Sequence, residues 1–317
     1  MKSWRFYGTD KPLVLEEVPE PTAGPGEVVV EVKAAGCCHS DVSALDDAGW
    51  MPMFPRLPMT LGHENAGIIT EVGAGMEAWK VGDRVGLSPM MPDGDAIGYG
   101  KWDGGYGPKL RATDANLVKL PDEVPFDLGA LATDAGLTAY HALVAVGGAK
   151  KGMKVGIIGI GGLGYVGARV AVLLGCEVYG ADIAAPARGL ADEIGLTGVA
   201  NSITAFADKK LDLVVDYAGF GTTTAEALTV LGQFGTLVQV GMGRLESTIS
   251  TYPLIINQLT IRGSVSGTKE DLAAIYDLMA TGKLKPPMNL ITQADIPGAL
   301  DKLRVGGVVG RFVAVYE

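Results

Sequence analysis

The stretch Val155-Gly156-Ile157-Ile158-Gly159-Ile160-Gly161-Gly162-Leu163-Gly164 decides how this chain is read. Residues 155–160 form a short apolar run of the kind that makes a buried strand. Gly159, Gly161 and Gly164 follow in the spacing G-x-G-x-x-G, and an apolar helical pattern runs from about 163 to 174. In a chain with 46 glycines the motif alone is weak, but its setting between strand and helix is specific. A second short strand, 177–181, ends at Asp182, about 20 residues past the loop, where a dinucleotide-binding unit places an acid. Gly159, Gly161, Gly162, Leu163 and Gly164 are therefore expected to cradle a pyrophosphate at a helix N-terminus, where amide N–H groups and the helix dipole favour an anion. Asp182 is expected to accept hydrogen bonds from the adenosine ribose and to repel a 2′-phosphate, which favours NAD over NADP. A simple helix cap is the other reading of Asp182. Arg188, six positions on, is not adjacent to the strand end and would soften the preference only if it reached the ribose.

Working outward, 211–217 and 236–240 are further apolar, β-branched runs separated by helical patterns. Alternation of strand and helix predicts a doubly wound parallel sheet, a Rossmann domain over 136–285. Residues 1–135 read differently. A Gly24-Pro25-Gly26 turn precedes a strand at 27–32. Another strand covers 65–72, and Gly82-Asp83-Arg84-Val85 reads as turn and strand. Short strands between glycines and prolines predict a β-rich barrel or sandwich. The end of the chain, about 286–317, closes in a strand-like 311–316 and is expected to return to that first domain. The fold class is thus α/β, with a β-rich domain beside the Rossmann domain.

Composition narrows the function classes. A net charge of -10 with no basic block argues against a nucleic-acid partner. The longest apolar stretch, near 155–174, is cut by glycines and falls short of the ~20 uninterrupted apolar residues of a membrane span. The sequence at 1–8 has no apolar signal core. Three cysteines, Cys37, Cys38 and Cys176, two of them adjacent, make no disulfide framework, which fits a reducing cytoplasm.

The remaining chemistry-bearing residues lie in the first domain. Cys38 sits in Gly36-Cys37-Cys38-His39-Ser40-Asp41, His63 in Gly62-His63-Glu64, and Asp134 in Thr133-Asp134. Cys, His and Asp are good zinc ligands, and three protein ligands with one open position make a catalytic site. Spacing alone does not join them; a buried thiol, a core histidine and a helix-capping aspartate are equally consistent with it.

Taken together, these segments resemble the medium-chain, zinc-dependent alcohol dehydrogenase family over nearly the whole chain. The carrying residues are 36–41, Gly62-His63-Glu64 with Gly67, the 81–85 strand, Asp103-Gly104-Gly105-Tyr106, Thr133-Asp134, the glycine loop and Gly310-Arg311. The resemblance implies a GroES-like catalytic domain beside the Rossmann domain. It implies one catalytic Zn2+ held by Cys38, His63 and Asp134, in the branch that uses a carboxylate where many relatives use a second cysteine. Cys37 is not the ligand, because the family pattern sets the ligand three residues before Asp41. Asp41 would hydrogen-bond the ligand histidine, Glu64 would approach the metal transiently, and Ser40 would carry the substrate proton, with His39 as neighbour. The position that often continues the relay is Ser43 here. Val240 and Arg311 would join the glycine loop in holding NAD. The stretch 87–106, where many relatives bind a structural zinc through four cysteines, has none, so one metal per subunit is expected.

The function implied is hydride transfer between NAD and a small primary or secondary alcohol or its carbonyl product, by a homo-oligomer, dimer or tetramer. A zinc-free quinone or enoyl reductase of the same superfamily would lack the Cys, Gly-His-Glu and Asp set. A non-catalytic nucleotide-binding protein would need no open metal site. Trp50, Phe54, Trp102 and Met90 are candidates for a pocket wall, with plain core as the alternative.

Overall fold

The computed structural model describes residues 1–91 and 93–317. The strands of the first part are β1 (Lys2–Phe6), β2 (Val14–Glu17), β3 (Glu27–Cys37), β4 (Met59–Thr60), β5 (Glu64–Val72), β6 (Arg84–Leu87), β7 (Lys109–Thr113) and β8 (Leu117–Lys119). Those of the middle are β9 (Lys154–Ile158), β10 (Glu177–Ala181), β11 (Gly198–Ala200), β12 (Leu211–Asp216), β13 (Leu231–Gln239) and β14 (Thr260–Gly263). The chain ends with β15 (Met288–Thr292) and β16 (Arg311–Val315). It forms two compact units, Met1–Asp134 with Thr268–Glu317, and Ala135–Gly267.

The first unit is built around β3. Its run Val28-Val29-Val30 and the later Ala34-Ala35 are buried, as in a strand covered on both faces. β3 pairs antiparallel with β5, β7 and β16, and the sheet continues through β6 to β8 on one side and β15 on the other. β1, β2 and β4 form a small separate sheet. Phe6, Val30, Ile69, Leu87, Tyr106, Leu110 and Phe312 fill the core.

The return into this unit begins at Thr268, earlier than the 286 expected from sequence. The helix Lys269–Ala280 explains the difference. It buries Leu272, Ile275, Tyr276 and Met279, and Tyr276 donates a hydrogen bond to the carbonyl of Gly129 at 3.1 Å. Lys269 donates to the carbonyl of Asp114. Nothing in the sequence pattern separates such a helix from the Rossmann helices before it.

The second unit is a six-stranded parallel sheet in the order β11-β10-β9-β12-β13-β14. This is the doubly wound order in which the strand sequence reverses between β9 and β12, the point where such sheets bind nucleotides. β10 occupies the residues expected of it, and the helix after the glycine loop spans Gly162–Leu173. β14 is the outer strand, and all four of its residues are exposed.

Candidate metal centre and nucleotide loop

Three strand ends build the metal cluster. β3 ends at Cys37, so Cys38 is the next residue and caps the helix His39–Asp46. β5 starts at Glu64, so His63 precedes it, and Gly36 of β3 pairs with Glu64 in register. β16 starts at Arg311, and its next residue, Phe312, pairs with Cys37. A thiol, an imidazole with its acidic neighbour, and a cation are thus delivered to one end of the sheet. Asp134 arrives from another direction. The helix Phe126–Leu131 widens into a π-type turn over Ala132–Gly136, a feature frequent at functional sites. The Thr133 hydroxyl fixes this turn. It donates to the carbonyl of Ala130 at 2.7 Å and accepts from the Asn65 amide at 3.0 Å.

Ligand atoms of Cys38, His63, Glu64 and Asp134 all lie within 4.8 Å of one another. Cys38 Sγ is 3.5 Å from Asp134 Oδ2, and His63 Nε2 is 3.7 Å from the same oxygen. Ligand atoms bound at zinc distances in a tetrahedral shell stand roughly 3.3–3.8 Å apart. The donor set and its spacing therefore fit zinc. His63 and Glu64 are buried while Cys38 and Asp134 keep some exposure, which leaves one side open. A further sign is a pair of buried atoms without hydrogen-bond partners, His63 Nδ1 and Asp41 Oδ1. They face each other at 3.5 Å, the arrangement in which a carboxylate orients a ligand histidine.

The electrostatics are those of a tightly balanced cluster. Burial works against a charge on His63. The carboxylates of Asp41 and Asp134, with Cys38, outweigh it and hold the imidazole protonated well above its ordinary pKa. Burial would raise Asp134, yet His63 and Arg311 pull it well below the usual carboxylate range. Burial pushes Glu64 up to about 7, with Arg311 opposing and Asp134 adding to the rise. Arg311 binds both acids. Its Nε donates to Glu64 Oε2 at 3.1 Å, and its Nη2 donates to Glu64 Oε1 and, at 2.7 Å, to Asp134 Oδ2. Arg311, expected to help hold NAD, has its guanidinium against Glu64 and Asp134. Burial raises the Cys37 thiol far above its ordinary value.

Ser40 and His39 open the helix that follows Cys38. Because Cys38 is the cap, Ser40 is not held by a capping role. Ser43 is turned to the helix backbone, donating to the His39 carbonyl at 3.2 Å. Of the candidate wall residues, Trp50 packs against Tyr99 with ring centroids 6.1 Å apart, and Tyr99 meets His63 edge-on at 5.0 Å. Tyr99 was missed because its surroundings, Gly98 and Gly100, read only as a loop. Phe54 is core, packed on Phe6 at 4.9 Å. Trp102 lies beneath the Arg111 guanidinium, and Met90 is on the surface.

In the second unit the three motif glycines have separate physical roles. Gly159 has φ +83°, which makes the tight turn. A Cβ on Gly161 would meet nothing within 4 Å, so that side is open to a ligand. A Cβ on Gly164 would fall 1.7 Å from the Gly159 carbonyl oxygen, so only glycine lets helix and strand pack this closely. Gly162 and Leu163 begin the helix. The loop fits a pyrophosphate. Asp182 accepts from the Ile160 amide at 2.7 Å and the Ala184 amide at 2.8 Å, so it also stiffens the loop. Arg188 is closer than the sequence spacing suggests: its Nη1 donates to the carbonyls of Asp182 and Ile183, both at 2.8 Å. Val240 follows the end of β13 and donates to the Asp216 carbonyl at 3.0 Å.

Residues 24–122 match the alcohol dehydrogenase GroES-like domain, and residues 162–281 match the zinc-binding dehydrogenase domain. The chain is 34% identical to an alcohol dehydrogenase of Geobacillus stearothermophilus, covering 96% of each. It is 30% identical to the NAD-dependent alcohol dehydrogenase of Sulfolobus acidocaldarius, covering 99% of each. Among solved structures, an acetophenone reductase from Geotrichum candidum in complex with NAD superposes with a TM-score of 0.90 at 30% identity, over 99% of this chain and 97% of that one. Converging strand ends that carry a zinc-competent donor set, a dinucleotide loop in the second unit and full-length similarity lead to one conclusion: the chain belongs to the medium-chain, zinc-containing alcohol dehydrogenase family.

Proposed function

We propose that this NAD-linked alcohol dehydrogenase interconverts small primary or secondary alcohols and their aldehydes or ketones, with Cys38, His63 and Asp134 as the resident zinc ligands. The observation that carries the reading is the Cys38–His63–Glu64–Asp134 donor cluster, buried at His63 and Glu64 and partly exposed at Cys38 and Asp134. When bound, zinc supplies Lewis-acid polarisation of the substrate oxygen, and the nicotinamide accepts or gives the hydride.

The chain's own residues do the rest. Asp41 orients His63 through Nδ1. Ser40, in the first turn of its helix, takes the substrate proton in oxidation and returns it in reduction, and His39 stands beside it on the exposed side. Arg311 neutralises Glu64 and Asp134 until the metal site is filled. Gly161, Gly162 and Leu163 present open backbone to the pyrophosphate, Asp182 reads the ribose at the end of β10, and Val240, past the end of β13 and bonded to the Asp216 carbonyl, holds the cofactor further along the sheet. The exposed outer strand β14 supports a homo-oligomer, since an unpaired edge is a template for another chain. Three free cysteines support a reducing compartment such as the cytoplasm. The test is zinc content and NAD-dependent turnover on one preparation against a panel of alcohols and ketones. Turnover with no metal bound would remove this reading.

A further inference from the structure

Tyr106 is among the largest fully buried side chains in the protein, and its hydroxyl has one charged partner, with the Gly36 carbonyl as a longer second acceptor at 3.5 Å. It donates to Asp41 Oδ2 at 2.8 Å. The same oxygen accepts the Cys38 amide at 2.9 Å. Two donors on Oδ2 fix the plane of the carboxylate and leave Oδ1 turned to His63 Nδ1, 3.5 Å away, each atom without any other hydrogen bond. A carboxylate buried to this depth, with one oxygen saturated and the other waiting on a ligand histidine, is set for a single task.

Tyr106 is itself clamped to the segment that carries His63. Its amide donates to the Leu61 carbonyl at 3.0 Å, and its own carbonyl accepts from Trp4 at 3.0 Å and from Gln293 at 3.2 Å. Its ring occupies the space beside Gly62, where a Cβ would fall 2.5 Å from the ring. Gly62 has φ +95°, so both its conformation and this contact require glycine. The tyrosine therefore spans the two chain segments that bring Cys38 and His63, fastened by its backbone to one and by its hydroxyl to the other.

We propose that Tyr106 is a positioning residue of the zinc site, acting through Asp41 on His63 and setting the metal affinity without touching metal or substrate. The inference rests on the ligand set proposed above. It accounts for a hydroxyl in a place where phenylalanine would fill the core equally well.

The test is Tyr106→Phe, which keeps the ring and removes the hydroxyl. Zinc affinity is measured by competition with a chromophoric chelator, and the visible spectrum of the cobalt-substituted protein reports ligand geometry. Outer partners of a ligand histidine typically contribute about 10–100-fold in metal affinity. A hydroxyl acting one bond further out should cost roughly 3- to 10-fold, with a shifted cobalt spectrum. In an Asp41→Ala background the same change should cost nothing more, because its route is gone. A lower melting temperature with unchanged zinc affinity and cobalt spectrum would overturn the proposal, since that is the signature of plain packing. An equal loss in the Asp41→Ala background would also overturn it. Failure of the underlying ligand set looks different: His63→Ala or Cys38→Ala would then bind zinc as tightly as the parent protein.

Discussion

Gly36 lies directly beneath Glu64: the two are register partners in β3 and β5, and a Cβ on Gly36 would fall 2.0 Å from Glu64 Oε2. The absence of a side chain at 36 is what lets a carboxylate sit fully buried against Arg311. Gly36→Ala must displace Glu64 and loosen its pairing with Arg311. Overpacking of this kind costs about 1–3 kcal/mol. Denaturant unfolding should show a loss in that range, accompanied by reduced turnover. An unchanged midpoint and full activity would mean the Glu64–Arg311 arrangement is dispensable.

Arg311 holds two acids at once, the fully buried Glu64 and the partly exposed Asp134. Removing one member of a buried ion pair costs roughly 3–5 kcal/mol, mostly because the remaining charge is left without a partner. Arg311→Met should therefore destabilise the metal-free protein by an amount of that order. Adding Glu64→Gln should restore part of it, since the stranded carboxylate is then gone. Urea unfolding of the two single variants and the double variant measures the coupling. Strictly additive effects would show that the pair has no mutual energy.

Ser40→Ala should leave zinc content and melting temperature near those of the parent protein, because Cys38 caps the helix. Turnover should fall by about 100- to 10,000-fold, the usual contribution of a general acid–base group. Measuring all three on one preparation separates a proton-transfer role from loss of metal. Full turnover with zinc bound would take Ser40 out of the mechanism.

Much of this was legible in the sequence, for identifiable reasons. The nucleotide loop shows itself locally, since turn, open approach and close packing each need glycine at a fixed spacing. Cys38, His63 and Asp134 are distant in sequence, and their union depends on strand register and on a π-type turn at 132–136, neither of which has a local signal. Arg311 and Tyr106 were visible only as carriers of family resemblance. Their roles in the cluster come from the ends of β16 and from a loop whose pattern of glycines says nothing about where an aromatic side chain goes. The early start of the returning segment was hidden for a similar reason: a helix that packs on the first unit has the same amphipathic spacing as one that packs on the second.

In the structure Asp182 holds the Ile160 and Ala184 amides, with Arg188 fastened to its carbonyl; the proposed function gives it a second job, reading the ribose. Asp182→Ser removes the negative charge and keeps the cation. The ratio of kcat/KM for NAD over NADP should fall roughly 10- to 100-fold, in line with losing charge-assisted hydrogen bonds. Part of the fall should come from weaker NAD use, because the loop loses a bond. A ratio that does not move would show that Asp182 serves the loop alone.

The roles proposed for Cys38, His63, Asp134 and Ser40 all require a single metal held by one cluster. Elemental analysis of purified, active protein measures this most directly. The expected result is one zinc per chain: the 87–106 stretch has no cysteine for a second, and no other group of three or more His, Cys, Asp or Glu side chains among the described residues is placed to hold one. Two zincs per chain, or full NAD-dependent turnover with none, would contradict it.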